Sequence, residues 1–451
     1  NPPNVGLIVP YLANAAPVEL RYVREKGGLN FEYTGVENWV FKVGYTHETR
    51  NGTKPQPFSI GRANLEEFAM PVNYLTEDYT VSADWAKGRW FFSGSYDYNK
   101  FTNEDRYFNV DNAFRYQDSL TAGPAFARIG TAPDNSAWTL SFTGGVSLPY
   151  RHRLVADVDW GQMKQDQGLL PFTSNMAYYT DTPEGVNMAL PITAANRKID
   201  TFLGMVRLTG EPLNWFGYSV SYRRHEMDNK APHTYFQNWI YGDQSVASGG
   251  RYTTAVGYST DTWKAEVHFD PVKQVRFGLE FKDNQTDLQD REFTSNKETL
   301  WRATLDLDFA SWVSFRASYA DVKLKNGGEN HEIAHLYYPS GHGLVEAGPQ
   351  HEAHSTRYDI WRRDSDVFNA LLSFTPLDNL YVGFSYQDSK DKYPDSHYGL
   401  EESKYDNWGI DVSYAASDRL SFYGSYLDEN THSAMWSRWV PVTTSGGVST
   451  D

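Results

Sequence analysis

Alternation with a period of two runs through this chain from end to end. Leu380, Val382, Phe384 and Tyr386 interleave with Tyr381, Gly383, Ser385 and Gln387. Trp39, Phe41, Val43 and Tyr45 interleave with Val40, Lys42, Gly44 and Thr46. Val275, Phe277, Leu279 and Phe281 are answered by Arg276, Gly278, Glu280 and Lys282. Similar rows start near Tyr79, Trp90, Trp138, Leu154, Phe216, Trp263, Trp301, Val313, Trp408 and Leu420. Side chains of a strand point to opposite faces in turn, so such a segment has one apolar and one polar face. About sixteen strands of roughly 9–12 residues follow from the pattern, the length that crosses a bilayer when tilted. Before Gly27-Gly28 the apolar residues Val18, Leu20 and Tyr22 are even-numbered, and after it Leu29, Phe31 and Tyr33 are odd-numbered. A β-bulge at the glycines would explain the change.

The connections are of two kinds. Short turns are expected near Glu37, Lys87, Pro149, Pro212, Pro271, Ser311, Asp378 and Ser417. Long polar segments are expected over 51–72, 101–135, 166–195, 227–249 and 326–362. Short turns on one rim and long loops on the other are the plan of an outer-membrane β-barrel. Tryptophan supports this. Trp39, Trp85, Trp90, Trp215 and Trp312 stand at the short-turn ends, whereas Trp138, Trp160, Trp301 and Trp408 stand well up their strands. Two heights of aromatic residues suit the two girdles of a membrane barrel; a soluble sandwich has no use for them.

Composition narrows the picture. The chain has 451 residues, 16% aromatic, a formal charge of -16 and no cysteine. Its mean hydropathy is -0.60, polar for a chain so rich in rings. No run of about 18 apolar residues is present, so no transmembrane helix is expected. The lack of cysteine excludes disulfides, thiolate metal sites and covalent haem attachment in this sequence. The acidic balance argues against nucleic acid as a partner. No linker or shift of composition divides the chain, so residues 1–451 read as a single all-β domain: a transmembrane antiparallel up-and-down β-barrel with periplasmic turns and extracellular loops.

On the non-apolar face stand Lys42, Asp157, Lys264, Glu266, Arg276, Glu280, Arg302, Asp306, Arg316 and Asp411. Charges in lipid near the midplane cost a few kcal/mol each, so these residues must face a wet lumen or a polar partner within it. Five of the 12 histidines fall in one segment, as His331, His335, His342, His351 and His354. His331 with His335, or His351 with His354, has a spacing usable by a metal on a helical turn; a solvated loop is the favoured reading. Asp388, Asp391 and Asp395, or Glu401 and Glu402, offer oxygen ligands for calcium, again less favoured than solvated acidic surface. No nucleophile–base arrangement or phosphate loop stands out, and no enzymatic activity is expected.

Two stretches carry a resemblance. In "NLEEFAMPVNYLTEDYTVSADW", Met70-Pro71-Val72-Asn73-Tyr74 and Thr76 are similar to the Leu-Pro-x-Pro-Val-Asp-Tyr-x-Thr signature of the MtrB/PioB family of decahaem-cytochrome-associated outer-membrane barrels. Asn73 stands in place of the acid and Ala69 in place of the first proline. "RYDIWRRD" at 357–364 and "YPDSHYGLEESKYDNWGIDVSYAASDRLSFYGSY" at 393–426 resemble the later hairpins of that family. The resemblance implies a sheath in the bacterial outer membrane. A periplasmic multihaem c-type cytochrome would thread the lumen, and electrons would cross the membrane to or from an extracellular acceptor, donor or second multihaem cytochrome. The haem c would belong to the partner. The family's barrels have roughly two dozen strands, so this chain is expected to lack some N- and C-terminal ones. The alternative is a diffusion or substrate-selective porin without a cytochrome. Mixed charge signs on the inner face, with no basic ladder, favour a protein partner.

Overall fold

A computed structural model describes residue 13 and residues 17–436, except 61–63, 113–114, 116, 183–185, 242–244, 248–250, 292, 329–360 and 396–398. Sixteen strands form one antiparallel sheet. They are β1 (Tyr22–Tyr33), β2 (Trp39–Ile60), β3 (Asn64–Lys87), β4 (Trp90–Asn103), β7 (Asn135–Leu148), β8 (His152–Gln165), β9 (Arg197–Leu213) and β10 (Phe216–Asn229), then β15 (Gly257–Val272), β16 (Val275–Gln289), β17 (Ser295–Ala310), β18 (Val313–Asn326), β19 (Arg363–Leu377), β20 (Leu380–Lys392), β21 (Gly399–Ser417) and β22 (Leu420–Trp436). Each pairs with the next in this order, an up-and-down wall. The intervening labels belong to small strands at the long-loop end: β5 (Tyr107–Asp111) with β6 (Phe126–Gly130), β11 (Tyr235–Phe236) with β14 (Arg251–Tyr252), and β12 (Trp239–Tyr241) with β13 (Ser245–Ala247). A helical turn, α1, spans Ala177–Thr180. In the described sheet β1 pairs only with β2 and β22 only with β21.

The short turns lie where expected. Gly88 takes φ +61 in the two-residue β3–β4 turn. The β7–β8 turn puts Tyr150 and Arg151 at φ 59 and 60; two successive left-handed residues match the right-handed twist of a hairpin, here without glycine. Two expectations are corrected. Register runs unbroken from Tyr22↔Gly52 through Gly27↔His47 and Gly28↔Thr46 to Tyr33↔Phe41, so no bulge interrupts β1. Tyr22 simply lies beyond the apolar band, where parity no longer reports a lipid face.

Segment 51–72 is not a loop but the far half of a long hairpin, with Thr53↔Pro71, Pro55↔Ala69 and Pro57↔Glu67 in register. The prolines suggest a break, yet they fit an edge. β1 stops pairing at Gly52, and the Thr53 amide still donates to the Arg21 carbonyl at 2.8 Å. Pro55 and Pro57 share the parity of Thr53, so their missing N–H groups fall on the side β1 has already left.

The wall has no core of its own. Its apolar residues stay uncovered, among them Trp263 at 55% and Phe277 and Trp301 at 50% exposure. Buried apolar side chains gather instead at the long-loop end. Ile60, Val110 and Ala127 pack with Phe58, Phe68, Phe108 and Ile129, joining the β2–β3 hairpin to β5–β6. Met70 and Val72 of the Met-Pro-Val-Asn-Tyr stretch are also buried there, and Asn73 donates to Glu104 at 3.0 Å. Segment 166–196 is bolted to segment 104–134. Fully buried Asn175 donates to the Ser119 carbonyl at 3.0 Å, and the Met176 amide donates to Asp118 at 2.8 Å. These described parts of the loop end thus bury apolar and polar side chains as a soluble protein does, whereas the wall leaves its apolar residues outside.

Candidate functional site: the lumen-facing wall

The pairing register sorts every wall residue to one face. On the apolar face the higher aromatic row runs strand by strand. Tyr79 is opposite Tyr98, and Tyr98 is opposite Trp138. Trp160 is opposite Phe202, Tyr222 opposite Trp263, and Phe281 opposite Trp301. Tyr386 is opposite Trp408, and Trp408 adjoins Tyr426 with ring centroids 5.2 Å apart. The lower row includes Trp39, Trp85 and Trp90, with Trp39 opposite Trp85. All seven tryptophans expected in the girdles, Trp39, Trp85, Trp90, Trp138, Trp160, Trp301 and Trp408, lie on this face. The two rows are six to eight residues apart, or about 15–20 Å of height for strands tilted by about 40°.

The ten expected lumen residues, Lys42, Asp157, Lys264, Glu266, Arg276, Glu280, Arg302, Asp306, Arg316 and Asp411, all lie on the other face. It is the more crowded face: the Glu280, Asp270 and Glu298 side chains are only 14%, 21% and 24% exposed. Crowding marks the concave side of a curved sheet.

From β15 to β18 this face is an interlocked charge lattice. Register places Glu266, Glu280 and Arg302 in one row across three strands. Two carboxylates directly opposite each other would repel, but Lys264 lies 2.6 Å from Glu266 and 3.4 Å from Glu280. Arg302 closes on Glu280 at 2.9 Å. Nearer the short turns, Arg276 grips Asp270 with two bonds of 2.7 Å, and Arg316 grips Asp306 at 2.5 and 3.2 Å. Forked guanidinium–carboxylate pairs hold both partners in fixed orientation. Nearer the loops, Glu298 receives Arg363 at 3.4 Å and Lys282 at 3.8 Å.

Elsewhere the wall is different. Glu48 is held by Arg24 at 2.6 Å and Arg50 at 2.7 Å, and Lys42 meets Asp84 at 3.2 Å. On β3 and β4 neutral donors hold the acids, Asp84 in addition to its lysine. Asp97 accepts from Thr80 at 2.7 Å, Asp84 from Ser93 at 2.5 Å, and Asp78 from Asn99 at 2.6 Å. Asp411 accepts from Tyr423 at 3.0 Å. On β8, register sets Asp157 opposite Thr143 and Met205, and Asp159 opposite Ser141 and Leu203. Neither acid has a hydrogen-bond or ion-pair partner among the described residues, and neither does Arg223 on β10. The Arg207 guanidinium reaches only the Met205 sulfur, at 3.7 Å. Arg153 lies over the Phe91 ring at 5.2 Å.

Charge composition alone does not reveal Asp270, Glu298, Arg363, Arg207 and Arg223 as lumen residues. Strand parity does, since each alternates with an outward apolar or rim residue.

His331, His335, His351 and His354 lie outside the described residues. Among the described residues no three His, Asp, Glu or Cys side chains gather in a way that could hold a metal. Of the calcium candidates, Glu402 lies between Lys390 at 2.8 Å and Lys404 at 2.6 Å, and Asp395 is 3.5 Å from Arg362.

A model of the outer-membrane β-barrel porins of the MtrB/PioB type matches residues 7–450. The chain belongs to the MtrB/PioB family. Outer membrane protein MtrB of Shewanella baltica is 24% identical over 420 residues, which is 92% of this chain and 55% of that protein. The chain therefore spans little more than half the length of this relative. Among solved structures, the outer membrane transporter YddB of Escherichia coli superposes with a TM-score of 0.54 at 11% identity, over 91% of this chain and 55% of that one. The ferric-catecholate import receptor Fiu of the same species superposes with a TM-score of 0.50 at 10% identity, over 91% and 64%. At such identity the likeness shows the fold alone: the wall of an outer-membrane β-barrel. The MtrB/PioB member described here is an integral protein of the bacterial outer membrane, with its apolar face to lipid and its charged face to the lumen.

Proposed function

We propose that this MtrB/PioB protein is a sheath. In this reading it houses a multihaem c-type cytochrome in its lumen, insulates the haem chain from lipid, and so lets electrons cross the outer membrane. The chain supplies shape and a polar lining and performs no catalysis; the haem c belongs to the partner. The observation that carries the reading is the inner wall of β15–β18, where cations and carboxylates neutralise one another across neighbouring strands. A pore that selects ions or small charged solutes gains from an unbalanced field along its wall. A lining that receives a folded protein gains from fixed, mixed and hydrogen-bonding polarity. Asp157, Asp159, Arg207 and Arg223, which have no charged partner among the described residues, would meet charges on the guest.

The test is purification of the full-length protein from its native membrane. The sheath reading expects a Soret band and stoichiometric c-type cytochrome by mass spectrometry. It also expects Asp157→Asn/Asp159→Asn with Arg223→Gln to lower cytochrome retention about tenfold, equivalent to about 1.4 kcal/mol. A colourless barrel that conducts ions freely in planar bilayers would overturn it in favour of a diffusion porin.

A further inference from the structure

The outward face carries a feature that the lumen reading does not use. Two residues beyond Tyr98 along β4 stands Lys100, and two residues beyond Gln162 along β8 stands Lys164. Pairing links Lys100 to Ser136, Ser136 to Lys164, and Lys164 to Lys198 on β9. The Lys230 amide then donates to the Lys198 carbonyl at 2.8 Å, extending the same row to the end of β10. Lys100, Lys164, Lys198 and Lys230 therefore share one hydrogen-bonding row on five adjacent strands. The row spans about 19 Å at the usual strand spacing. It lies at the long-loop end, immediately above the aromatic row of Tyr98 and Trp138.

Like charges on directly opposed residues destabilise a sheet, and here lysine opposes lysine at two successive strand pairs. Internal acids relieve only part of this. Asp200 is 3.4 Å from Lys198, and Asp228 meets Lys230. Glu77, opposite Lys100, spends its carboxylate on Tyr45 at 3.0 Å and Tyr79 at 3.2 Å. Lys100 and Lys164 are exposed and have no ion-pair partner among the described residues. An anion from outside would relieve the row, and the surface below it dictates what kind. Directly beneath it run Tyr98, Trp138 and Gln162, then Asp200 and Asp228, the two acids already paired to Lys198 and Lys230; the next row down is Tyr96, Leu140, Trp160 and Phe202, in the apolar band. On β4, β7 and β8 the footprint is two-zoned, with Lys100 and Lys164, unpaired among the described residues, above and aromatic and aliphatic side chains below. Basic residues at a membrane surface attract anionic headgroups, and an apolar band below them accepts acyl chains.

We infer that the lysine row of β4, β8, β9 and β10 binds the phosphate groups of a phosphorylated glycolipid in the outer leaflet, while its acyl chains lie on the band beneath. The full-length protein, stripped of lipid in detergent, would be titrated with bisphosphorylated lipid A and followed by native mass spectrometry. Wild type is expected to bind the bisphosphorylated form at least tenfold more tightly than dephosphorylated lipid A. Lys100→Gln/Lys164→Gln/Lys198→Gln/Lys230→Gln should bring the two forms within about twofold. Lys297→Gln/Lys323→Gln/Lys390→Gln/Lys404→Gln removes as much outward charge at lysines paired to Asp283, Asp321 and Glu402, and should leave the preference intact. Equal binding of both lipid forms by wild type would overturn the inference, and that arm needs no variant to fold. So would displacement of the lipid by millimolar inorganic phosphate alone, which would mark a simple anion patch.

Discussion

Two adjacent arcs of the lumen wall share one architecture and treat charge differently. From β15 to β18 the charges are consumed within the wall: Glu280, 14% exposed, is clasped by both Lys264 and Arg302. From β7 to β10 the acids Asp157 and Asp159 face Thr143, Ser141, Met205 and Leu203, and Arg223 has no hydrogen-bond or ion-pair partner among the described residues. Both arcs have the same alternation and the same lipid-facing back. What differs is the register, which sets opposite charges side by side in one arc and interposes hydroxyls and apolar residues in the other. The paired arc is a finished surface, rigid and close to neutral. The open arc keeps charges that water or a guest must satisfy.

The largest expected effect tests whether the difference is confined to the inside. Val158→Arg lies behind the open arc and Leu279→Arg behind the paired one, and each puts a cation into lipid. Both should lower unfolding stability in lipid vesicles by about 2–4 kcal/mol. A small penalty at only one position would show that the arcs differ in membrane placement as well. A smaller effect addresses the lattice itself. Arg302→Met strips Glu280 of a charged hydrogen bond at a crowded site and should cost about 1–2 kcal/mol, tempered by lumen water. Arg223→Met on the open arc should stay within about 0.5 kcal/mol. Equal costs in denaturant titration would remove the distinction between the arcs. The smallest effect is expected at Lys42→Met. The Lys42 and Asp84 side chains are 49% and 38% exposed, and such a pair contributes below about 1 kcal/mol. Asp84 also keeps its bond from Ser93. A loss above 2 kcal/mol there would mean that the lumen is drier than its polarity implies.

How much was legible beforehand follows from the range of each interaction. The strands, their short turns and their two faces could be read because period-two alternation is written into neighbouring residues. The face and height of the tryptophans on the wall could be read for the same reason, since parity and distance from the turn place Trp138 or Trp301. The 51–72 segment was misleading because proline is a local break signal. Whether Pro55 and Pro57 break a strand depends on whether β1 still runs alongside, and β1 ends at Gly52. The supposed bulge at Gly27-Gly28 failed for a related reason: parity reports a lipid face only within the band, and Tyr22 lies outside it.

Alternation along the strands is enough for a wall with one apolar and one polar face, because it fixes which side chains share a face whatever the neighbours are. The family too lies in the sequence, through a pattern that extends over nearly the whole chain. Which charges cancel depends on how the strands pair. Glu280 and Arg302 are 22 residues apart, Asp157 and Thr143 fewer still, and nothing in the spacing says that the first pair bonds and the second does not. Register between strands sets those meetings, and it arises from every pair in a ladder at once. The same holds for the lysine row: Lys100, Lys164, Lys198 and Lys230 are scattered along the chain and become neighbours only when five strands align.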